Sequence, residues 1–474
     1  MARTWATFGV DLHLEPTGPG VRRGLTDALR EAVRTGRLTP GTRLPSSRSL
    51  AADLGIARNT VADAYADLVA EGWLTARQGS GTRVAPGAPP TPCGRRGRAV
   101  PGAPGRSAQP RREPGRPAYD LTPGTPDLAS FPRTEWLRAA RRALASAPNE
   151  ALGYGDPCGR VELRTALAGY VSRARGVRAD ADRIVVCSGF AQGLKLLGEV
   201  LARRGLDSLA VEAYGLDVHR TIAEQAGLGT VPLPFDDFGT RPDVPAGVSA
   251  VLLNPAHQFP MGGVLRPRRR AAVVEWARRT GGLVLEDDYD GEFRYDRQPV
   301  GALQDLDPEH VIHLGTVSKS LAPGLRLGWM VLPGSLLPDV VAARRAGGWS
   351  GGVLDQLTLA EFITSGAYDR HIRAARLRYR RRRDALVRAL AERAPRIRVT
   401  GIAAGLHAVL ELPPGTESSV VRAAAWQGLA VHGLSRFRHP RATTEPLDAL
   451  VVGYGTPPDH AWAGALDALC RVLP

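Results

Sequence analysis

The chain has 474 residues, of which 43% are hydrophobic and 23% charged, and its formal charge is +15 at pH 7. This composition is ordinary for a globular protein, and no apolar run reaches the roughly 18 residues of a membrane span. The N-terminus lacks the pattern of a secretory signal, and four widely spaced cysteines predict neither a disulfide framework nor a zinc site. We therefore expect a cytoplasmic protein without bound metal, and the positive charge favours a polyanionic partner.

The first predicted unit, residues 14–84, consists of helices followed by a β-hairpin. Its first helix places four apolar side chains on one face, namely Val21, Leu25, Leu29 and Val33. Two helices joined by a tight turn, a helix-turn-helix, are predicted next, from the segments SSRSLAADLG and ARNTVADAYADLVAEGWL. The inner face of the second of these helices is formed by Val61, Tyr65, Leu68 and Val69. WLTAR and TRVA, joined by QGSG, predict a β-hairpin wing.

The second helix of this pair exposes Arg58, Asn59 and Thr60 in its first turn. These side chains suit hydrogen bonds to base edges and phosphates when a helix N-terminus enters the major groove. We expect the flanking backbone to be contacted by Arg48, Gln78 and Gly79. The continuous stretch GRLTPGTRLPSSRSLAADLGIARNTVADAYADLVAEGWLTARQGSGTRV resembles the winged helix of the GntR transcription regulators, and the resemblance implies the same DNA-facing residues.

Residues 85–118 are rich in Pro, Gly, Ala and Arg and hold almost no apolar side chain to bury. Such a composition is typical of an extended, flexible linker. Its seven arginines and one glutamate leave two interpretations, a plain tether and a tether that also contacts phosphate.

The second unit, residues 119–474, alternates short apolar strands with longer helical stretches. Five short segments are rich in Val, Ile and Leu, namely RIVVCS, SLAVEA, SAVLLN, LVLEDD and HVIHLGT. Buried strands of this kind predict an α/β unit with a mostly parallel sheet. Ligands of such sheets bind at the carboxyl ends of the strands, where several reactive residues of this chain fall.

Lys319 follows the last of these strands and is one of only two lysines in the chain. Arginine can replace lysine as a charge but not as a nucleophilic amine, because the guanidinium stays protonated. A sequence that prefers arginine should keep lysine where a Schiff base is formed. Lys195, the other lysine, lies in a predicted helix and is the candidate for an incidental one.

The neighbours of Lys319 suit the same chemistry. Thr316, Ser318 and Arg326 offer two hydroxyls and a guanidinium to a phosphate. At VVCSGFAQGL a strand ends and a helix begins, which leaves amide N–H groups free for a phosphate. The stretch LVLEDDYDGEF places carboxylates and a phenol at another strand end. An aldehyde such as pyridoxal phosphate needs a carboxylate beside its protonated pyridine nitrogen and a phenol or amide beside its ring hydroxyl.

Residues 119–474 resemble class I, fold-type I pyridoxal-phosphate aminotransferases, and more closely the aminotransferase-like domain of the MocR subfamily of GntR regulators. The matching stretches include YGDPCGRVELRTALAGYVSRARGV, NPAHQFPMGG, LEDDYDGEFRYDRQPVGALQ, HLGTVSKSLAPGLRLGW and AGLHAVLEL. The resemblance implies a large subdomain at about 160–345 and a small one at about 346–474. It implies Lys319 as the Schiff-base lysine, with a cofactor site formed by Asp287, Tyr289, Ser188, Gly189, Phe190, Thr316, Ser318, Arg326 and Tyr154.

The chain departs from the class I pattern at three places. Phe259 replaces the asparagine of Asn-Pro-x-Gly, Leu216 replaces an aromatic residue, and Val451 replaces the arginine that binds a substrate carboxylate. Without that arginine, transamination of amino acids is not expected. Tyr214 is a candidate replacement for the aromatic residue, and Arg436 and Arg438 are candidates for the carboxylate.

The favoured hypothesis is a homodimeric transcription regulator in which pyridoxal phosphate on Lys319, alone or with an amine or amino-acid effector, modulates operator binding. The alternative is an active aminotransferase with an appended DNA-binding module. A third hypothesis, a scaffold that binds no cofactor, is disfavoured by the retained Lys319, Asp287 and Tyr289. The operator, the regulated genes and the effector are left open.

Overall fold

A computed structural model of the chain describes residues 20–77, 81–86, 117–295, 300–347 and 351–474. The chain divides into two compact units, Met1–Arg112 and Glu113–Pro474. Each unit has a hydrophobic core of its own. Within the described ranges, no helix is both long and apolar enough to cross a membrane.

The first unit contains α1 (Val21–Arg34), α2 (Ser47–Leu54), α3 (Arg58–Ala70), β1 (Leu74–Arg77) and β2 (Gly81–Val84). The Ser46 side chain caps α2 by accepting a hydrogen bond from the Ser49 amide, and Gly55 ends that helix in the left-handed region, at φ 65°. β1 and β2 pair antiparallel, with Leu74 opposite Val84. The predicted helix-turn-helix and the two strands of its wing are therefore present.

Apolar side chains from all three helices form the core of the first unit. Leu25 and Leu29 of α1 pack with Val61 and Leu68 of α3, and all four are nearly inaccessible to solvent. The prediction was wrong for Val21, which is 50% exposed because it stands at the first position of α1, beyond the core.

The second unit is larger and contains more elements than the first. In chain order, its helices are α4 (Arg133–Ser146), α5 (Val161–Arg175), α6 (Phe190–Arg203), α7 (Asp217–Gln225), α8 (Pro267–Thr280), α9 (Leu337–Gly347), α10 (Val353–Thr364), α11 (Ala367–Arg393), α12 (Glu417–Trp426) and α13 (Asp459–Val472). Its strands are β3 (Tyr119–Asp120), β4 (Ile184–Cys187), β5 (Ser208–Val211), β6 (Gly229–Pro232), β7 (Phe235–Asp236), β8 (Gly239–Thr240), β9 (Ala250–Leu253), β10 (Leu283–Asp288), β11 (Val311–Thr316), β12 (Gly328–Val331), β13 (Arg398–Thr400), β14 (Ala408–Glu411), β15 (Leu429–Ala430), β16 (His432–Gly433) and β17 (Ala449–Val452).

A seven-stranded sheet of order β4-β12-β11-β10-β9-β5-β6 forms the centre of this unit. β12 runs antiparallel to both of its neighbours, and the other six strands share one direction. The five predicted strands correspond to β4, β5, β9, β10 and β11. β6 and β12 were missed, since their short segments GTVP and GWMV contain glycine and, in β6, proline. The carboxyl ends of the six parallel strands lie along one edge of the sheet.

A second sheet, of order β13-β14-β17-β16, is antiparallel and lies in the part of the chain predicted as the small subdomain. α11, with 27 residues, precedes this sheet in the chain. β14 and β17 are largely buried and contribute side chains to two of the apolar clusters of the second unit. The subdomain boundary at about residue 345 stays a prediction.

Candidate functional site

The predicted DNA-facing residues of the first unit lie on its surface. Arg58 is the first residue of α3, and its side chain and that of Asn59 are exposed, while Thr60 is half-buried. Arg48 is exposed on α2, the preceding helix. All four remain candidates for DNA contact, since three of these side chains are exposed and Thr60 is partly accessible.

The predicted wing-tip residues Gln78 and Gly79 lie outside the described residues. Arg43, which was not predicted from the sequence, forms an isolated antiparallel bridge with Arg83 of β2. The Arg43 guanidinium lies against Gly81, where an added Cβ would stand 3.2 Å from its Nε. Arg43 therefore brings a further exposed cation to the start of β2, at the turn end of the wing.

The second unit has a cavity at the carboxyl edge of its large sheet. Six residues predicted from the sequence line it, namely Phe190, Asp287, Tyr289, Thr316, Ser318 and Lys319. They come from the ends of β10 and β11, from the loop after β11 and from the start of α6. Distant parts of the chain meet there because parallel strands bring their carboxyl ends to one edge.

Lys319 extends into this cavity, and its ammonium donates a hydrogen bond to the carbonyl oxygen of Gly124 at 2.6 Å. Burial lowers the pKa of Lys319, while the charges of Asp287 and Asp290 oppose the shift. A lysine with a lowered pKa is more often found as the free amine, which is the nucleophilic form. Lys195, by contrast, is exposed on α6 and forms an ion pair with Glu199.

Asp287, at the end of β10, is the buried carboxylate of the cavity. Its Oδ2 accepts a hydrogen bond from the side-chain amide of Asn254 at 2.9 Å. Its Oδ1 is buried and has no hydrogen-bond partner within the described part of the chain. Burial raises the pKa of Asp287 to about 7, against the opposing effects of the Asn254 hydrogen bond and the Lys319 charge. A cationic N–H donor at Oδ1 would satisfy the oxygen and favour the ionised form.

The Tyr289 hydroxyl lies 3.2 Å from Nδ1 of His257, and the same nitrogen lies 2.8 Å from Oδ2 of Asp290. Burial raises the pKa of Tyr289 well above its usual value, so the phenol keeps its proton. Phe259 packs edge-on against the Tyr289 ring, with the ring centroids 6.2 Å apart. The phenol is therefore held as a neutral hydrogen-bonding group beside Lys319.

The predicted phosphate-binding residues meet where β4 passes into α6. Gly189 caps α6 with φ 86°, and the Arg326 guanidinium donates to the Ser188 carbonyl oxygen at 2.5 Å. An added Cβ on Gly328 would stand 2.9 Å from the Gly189 Cα, so a side chain there would collide with the turn. Thr316, at the end of the neighbouring β11, lines the cavity. Hydroxyls and a guanidinium thus lie near the start of α6, a donor set that suits a phosphate, although the Ser188 amide N–H already donates to the Gln192 side chain.

Five residues considered from the sequence do not reach the cavity of this chain. Tyr154 is fully exposed, with a relative accessibility of 110%, and Arg436 is exposed as well. Arg438 donates to the carbonyl oxygens of Ala442 and Thr444. Tyr214 and Val451 are both buried in one apolar cluster. Tyr214 therefore does not replace the missing aromatic residue of the cavity, and no arginine takes the place of Val451 within that cluster.

Other cavity residues were not predicted. Arg220 donates to the Gly215 carbonyl oxygen at 3.2 Å, and burial lowers its pKa. His219 packs against Phe190 with ring centroids 4.6 Å apart, and burial lowers its pKa to about 4. Burial raises the pKa of Glu212 to about 8. The position of these residues just after a buried strand, β5, is the signal that could have found them.

The sequence predicted no metal site, yet the structure places His257, Asp290 and His407 with possible ligand atoms within 4.8 Å of one another. The sequence did not predict this group, because its three residues are far apart along the chain. Nε2 of His407 donates a hydrogen bond to the Pro260 carbonyl oxygen, 2.9 Å away, and burial lowers the pKa of this histidine to about 3. Nδ1 of His257 already contacts Asp290 and Tyr289, whereas Nε2 of His257 is buried and has no hydrogen-bond partner among the described residues.

The cavity fits pyridoxal phosphate on three grounds. Asp287 leaves a buried oxygen for a protonated ring nitrogen, Tyr289 keeps a phenol for a ring hydroxyl, and Lys319 provides a half-buried amine. At the turn between β4 and α6, Gly189 and Gly328 let the backbone of that turn and of β12 approach each other closely, beside the Arg326 guanidinium. These residues belong to one chain and to one edge of one sheet.

Comparisons with known proteins agree with this division of the chain. Residues 22–84 match the family model "Bacterial regulatory proteins, gntR family", and residues 118–444 match "Aminotransferase class I and II". The chain is 34% identical over 449 residues to the HTH-type pyridoxine biosynthesis transcriptional regulator PdxR of Corynebacterium glutamicum, with 93% of each protein covered. It is 33% identical over 450 residues to the probable rhizopine catabolism regulatory protein MocR of Rhizobium meliloti, with 92% of this chain and 90% of that protein covered.

Solved structures similar to the chain are aminotransferases. The multiple substrate aminotransferase of Thermococcus profundus aligns with a TM-score of 0.68 and 25% identity, covering 76% of this chain and 92% of that structure. An archaeal alanine:glyoxylate aminotransferase aligns with a TM-score of 0.67 and 24% identity, covering 75% and 90%. The second unit therefore has the aminotransferase fold, while PdxR and MocR, which match across both units, are regulators.

Proposed function

This chain belongs to the MocR subfamily of GntR transcription regulators, and from that premise we propose that pyridoxal phosphate, held covalently by Lys319, modulates its binding to operator DNA. The chain is a DNA-binding regulator whose second unit has the fold of pyridoxal-phosphate enzymes. When bound, pyridoxal phosphate supplies an aldehyde that reacts with primary amines. We further propose that the protein works in the cytoplasm.

One observation carries this proposal: a half-buried lysine and a buried carboxylate with one unpartnered oxygen line the same cavity. Lys319 and Asp287 influence each other's pKa, and Oδ1 of Asp287 lacks a protein partner among the residues that the structure describes. An unsatisfied buried oxygen costs about 1–3 kcal/mol, which a ligand donor would recover. A ligand that links the lysine to this carboxylate therefore stabilises the cavity.

Reductive trapping tests the covalent link. Full-length protein is incubated with pyridoxal phosphate, reduced with borohydride and digested, and the modified peptide is identified by mass spectrometry. We expect the adduct on the Lys319 peptide, none in Lys319→Ala, and an unchanged yield in Lys195→Ala. An adduct that maps to Lys195 would overturn the assignment.

Regulation requires that the ligand changes DNA affinity, and this step has its own test. Operator binding by the wild type and by Lys319→Ala is measured by fluorescence anisotropy with and without pyridoxal phosphate. We expect the wild-type affinity to shift and that of the variant to stay constant. Equal affinity in all four measurements would leave a protein that binds pyridoxal phosphate without regulating through it.

An effector that carries both an amine and a carboxylate would find a cation in Arg220. Burial lowers the pKa of this arginine, and its hydrogen bond to the Gly215 carbonyl oxygen uses one donor of a guanidinium that carries five. We expect Arg220→Met to weaken binding of amino acids to the pyridoxal-phosphate form and to leave simple amines unaffected. Arg203→Met, at an exposed position of α6, serves as the control, and equal effects of the two substitutions would refute this role.

A working aminotransferase is the alternative, and the surroundings of Val451 do not favour it. Val451 is fully buried among Val409, Phe259 and Phe437. An apolar side chain in that position offers no partner to a substrate carboxylate. Steady transamination of common amino acids at about 1 per second or faster would support the alternative instead.

We also propose that the chain forms a homodimer. Several large apolar side chains of the second unit are exposed around α4 and the start of α10, namely Leu137, Leu144, Leu152, Tyr154 and Leu354. Exposed apolar side chains in such number are typical of an interface, and we propose that a second copy of the chain covers them. Light scattering on the full chain distinguishes a dimer from a monomer.

A further inference from the structure

We propose that a groove along α11, in the aminotransferase-like unit, binds the phosphate backbone of duplex DNA. The inference rests on the DNA-binding function of the chain and assigns a second DNA-contacting surface outside the winged helix. It follows from where the positive charge of the second unit lies.

The excess positive charge of the second unit is concentrated on one helix. α11 carries ten arginines against three acidic residues. All other positions of residues 119–474 together carry 34 basic and 35 acidic side chains. The rest of the unit is thus nearly neutral, while α11 alone has a charge of +7, which makes this helix the part of the unit most attractive to a polyanion.

Part of this charge lines a groove. Arg373, Arg376 and Arg380 line it from α11, together with the exposed Leu377 between them. The three arginines stand at helical spacing i, i+3 and i+7 and are exposed to solvent, so they face one side of the helix. Arg173 at the end of α5 lines the opposite side of the groove.

Acidic side chains do not cancel the charge of the groove. Asp369 lines it but forms an ion pair with Arg173 at 2.9 Å. Glu292 is buried and receives hydrogen bonds from two tyrosines, and the Arg376 Nε donates to the Glu292 carbonyl oxygen at 2.9 Å. Arg380 stands 3.9 Å from the exposed Asp384, a distance typical of a weak surface pair. Arg373 is exposed to solvent, where its guanidinium can meet a phosphate.

The spacing of the groove suits a nucleic-acid backbone. Seven residues of helix between Arg373 and Arg380 correspond to about 10 Å. Successive phosphates of one strand rise by about 3.4 Å along the duplex axis, so this length accommodates about three phosphates. Planar guanidiniums bind phosphate bidentately, and a flexible stem lets each adapt to the backbone without reading the bases.

The salt dependence of DNA binding tests the proposal on the full-length protein. We compare Arg373→Gln/Arg376→Gln/Arg380→Gln with Arg268→Gln/Arg279→Gln/Arg396→Gln, which removes the same charge from exposed sites outside the groove. Affinities for operator and non-operator duplexes are measured by anisotropy at several salt concentrations. We expect the groove variant to bind both duplexes at least about tenfold more weakly, with a salt slope reduced by about 2 to 3, since each phosphate contact contributes about 0.9. The control variant should match the wild type.

Further variants keep the result interpretable. Lysines at the three groove positions should retain most of the slope, which separates charge from folding. Equal slopes for the groove variant and the control would overturn the proposal, as would a groove variant whose slope equals that of the wild type. Loss of binding to vesicles containing phosphatidylserine, with DNA binding unchanged, would assign the groove to a membrane surface instead. If the wild type bound no duplex at all, the DNA-binding function itself would fail, which is a separate result.

Discussion

The side-chain amide of Asn254 donates to one oxygen of Asp287 at 2.9 Å and leaves the other oxygen of that carboxylate buried, without a partner among the described residues. Asn254 also donates to the Asp287 carbonyl oxygen at 3.1 Å, so one side chain holds both the backbone and the carboxylate. The end of β9 thereby fixes the end of the neighbouring β10. This contact orients the free oxygen of Asp287 within a cavity that also contains Lys319.

Replacing Asn254 with alanine should weaken the binding of pyridoxal phosphate by about 1–3 kcal/mol, or roughly 5- to 150-fold. Without the amide, the pKa of Asp287 should rise further, and a protonated carboxyl no longer pairs with a protonated ring nitrogen. Absorbance titration measures the affinity. Gln258→Ala removes another buried amide, one that bonds Thr240 and not Asp287, and should leave the affinity nearly unchanged. Equal losses in the two variants would contradict the role of Asn254.

Substituting Arg175 with methionine should destabilise the second unit by about 3–5 kcal/mol, because it leaves a buried carboxylate without its charge partner. Arg175 contacts both oxygens of Asp288, at 2.6 and 3.1 Å, and this ion pair is almost inaccessible to solvent. Arg398→Met breaks a pair with Glu411 in which the arginine side chain is 76% exposed, and should cost less than about 1 kcal/mol. Urea denaturation measures both changes, and similar losses would show that burial does not decide the strength of the pairs.

The stability of the second unit should fall with acid partly through His407. Its folded pKa, about 3, lies below its usual value because of burial, so the unfolded chain binds the extra proton first. Its contribution is therefore complete above about pH 6.5 and is lost as the pH falls toward 3, by about 1.5 kcal/mol between pH 6.5 and 5. The variant His407→Gln keeps a donor for the Pro260 carbonyl oxygen. Between pH 6.5 and 5, its free energy of unfolding should decrease by about 1.5 kcal/mol less than that of the wild type. An unchanged pH dependence would exclude His407 as a cause.

As the pH falls, Glu212 and Asp287 change the free energy of unfolding in the direction opposite to His407. Only the difference between the wild type and the His407→Gln variant therefore isolates the contribution of His407. Burial raises the pKa of Glu212 to about 8 and that of Asp287 to about 7. The stability that such carboxyls provide is complete below their unfolded pKa and is lost as the pH rises. Urea midpoints and slopes at pH 5 and 6.5 provide the comparison.

Arg58→Gln should lower operator affinity by about 1–3 kcal/mol, since this exposed side chain begins α3, the predicted recognition helix. Arg23→Gln removes an exposed arginine from α1 and should have little effect. Anisotropy with operator and unrelated duplexes measures both variants. A loss that is the same for the two duplexes would make Arg58 a phosphate contact, and no loss would remove it from the interface.

Much of the fold and of the cofactor site was predictable from local patterns. The helix-turn-helix and five of the strands follow from apolar periodicity, because each of these elements buries a face with a regular spacing. Lys319 was identifiable by itself, since arginine cannot replace an amine nucleophile. Asp287, Tyr289, Thr316 and Ser318 stand at or just after the ends of predicted strands, and all of them line the cavity.

Contacts between distant parts of the chain were not predictable in this way. Asn254 meets Asp287, Arg220 enters the cavity, and His257 joins Asp290 and His407, although no local pattern links these positions. Tyr154 and Tyr214 were candidates by residue type, yet one is exposed and the other is buried in an apolar cluster. Residue type limits what a side chain can do, while the packing of strand ends decides which side chains meet. The sequence alone therefore identified Lys319 as the candidate amine nucleophile and indicated the two-unit organisation. Only the tertiary structure decided which groups surround that lysine, because strand order brings together residues that are far apart in the chain.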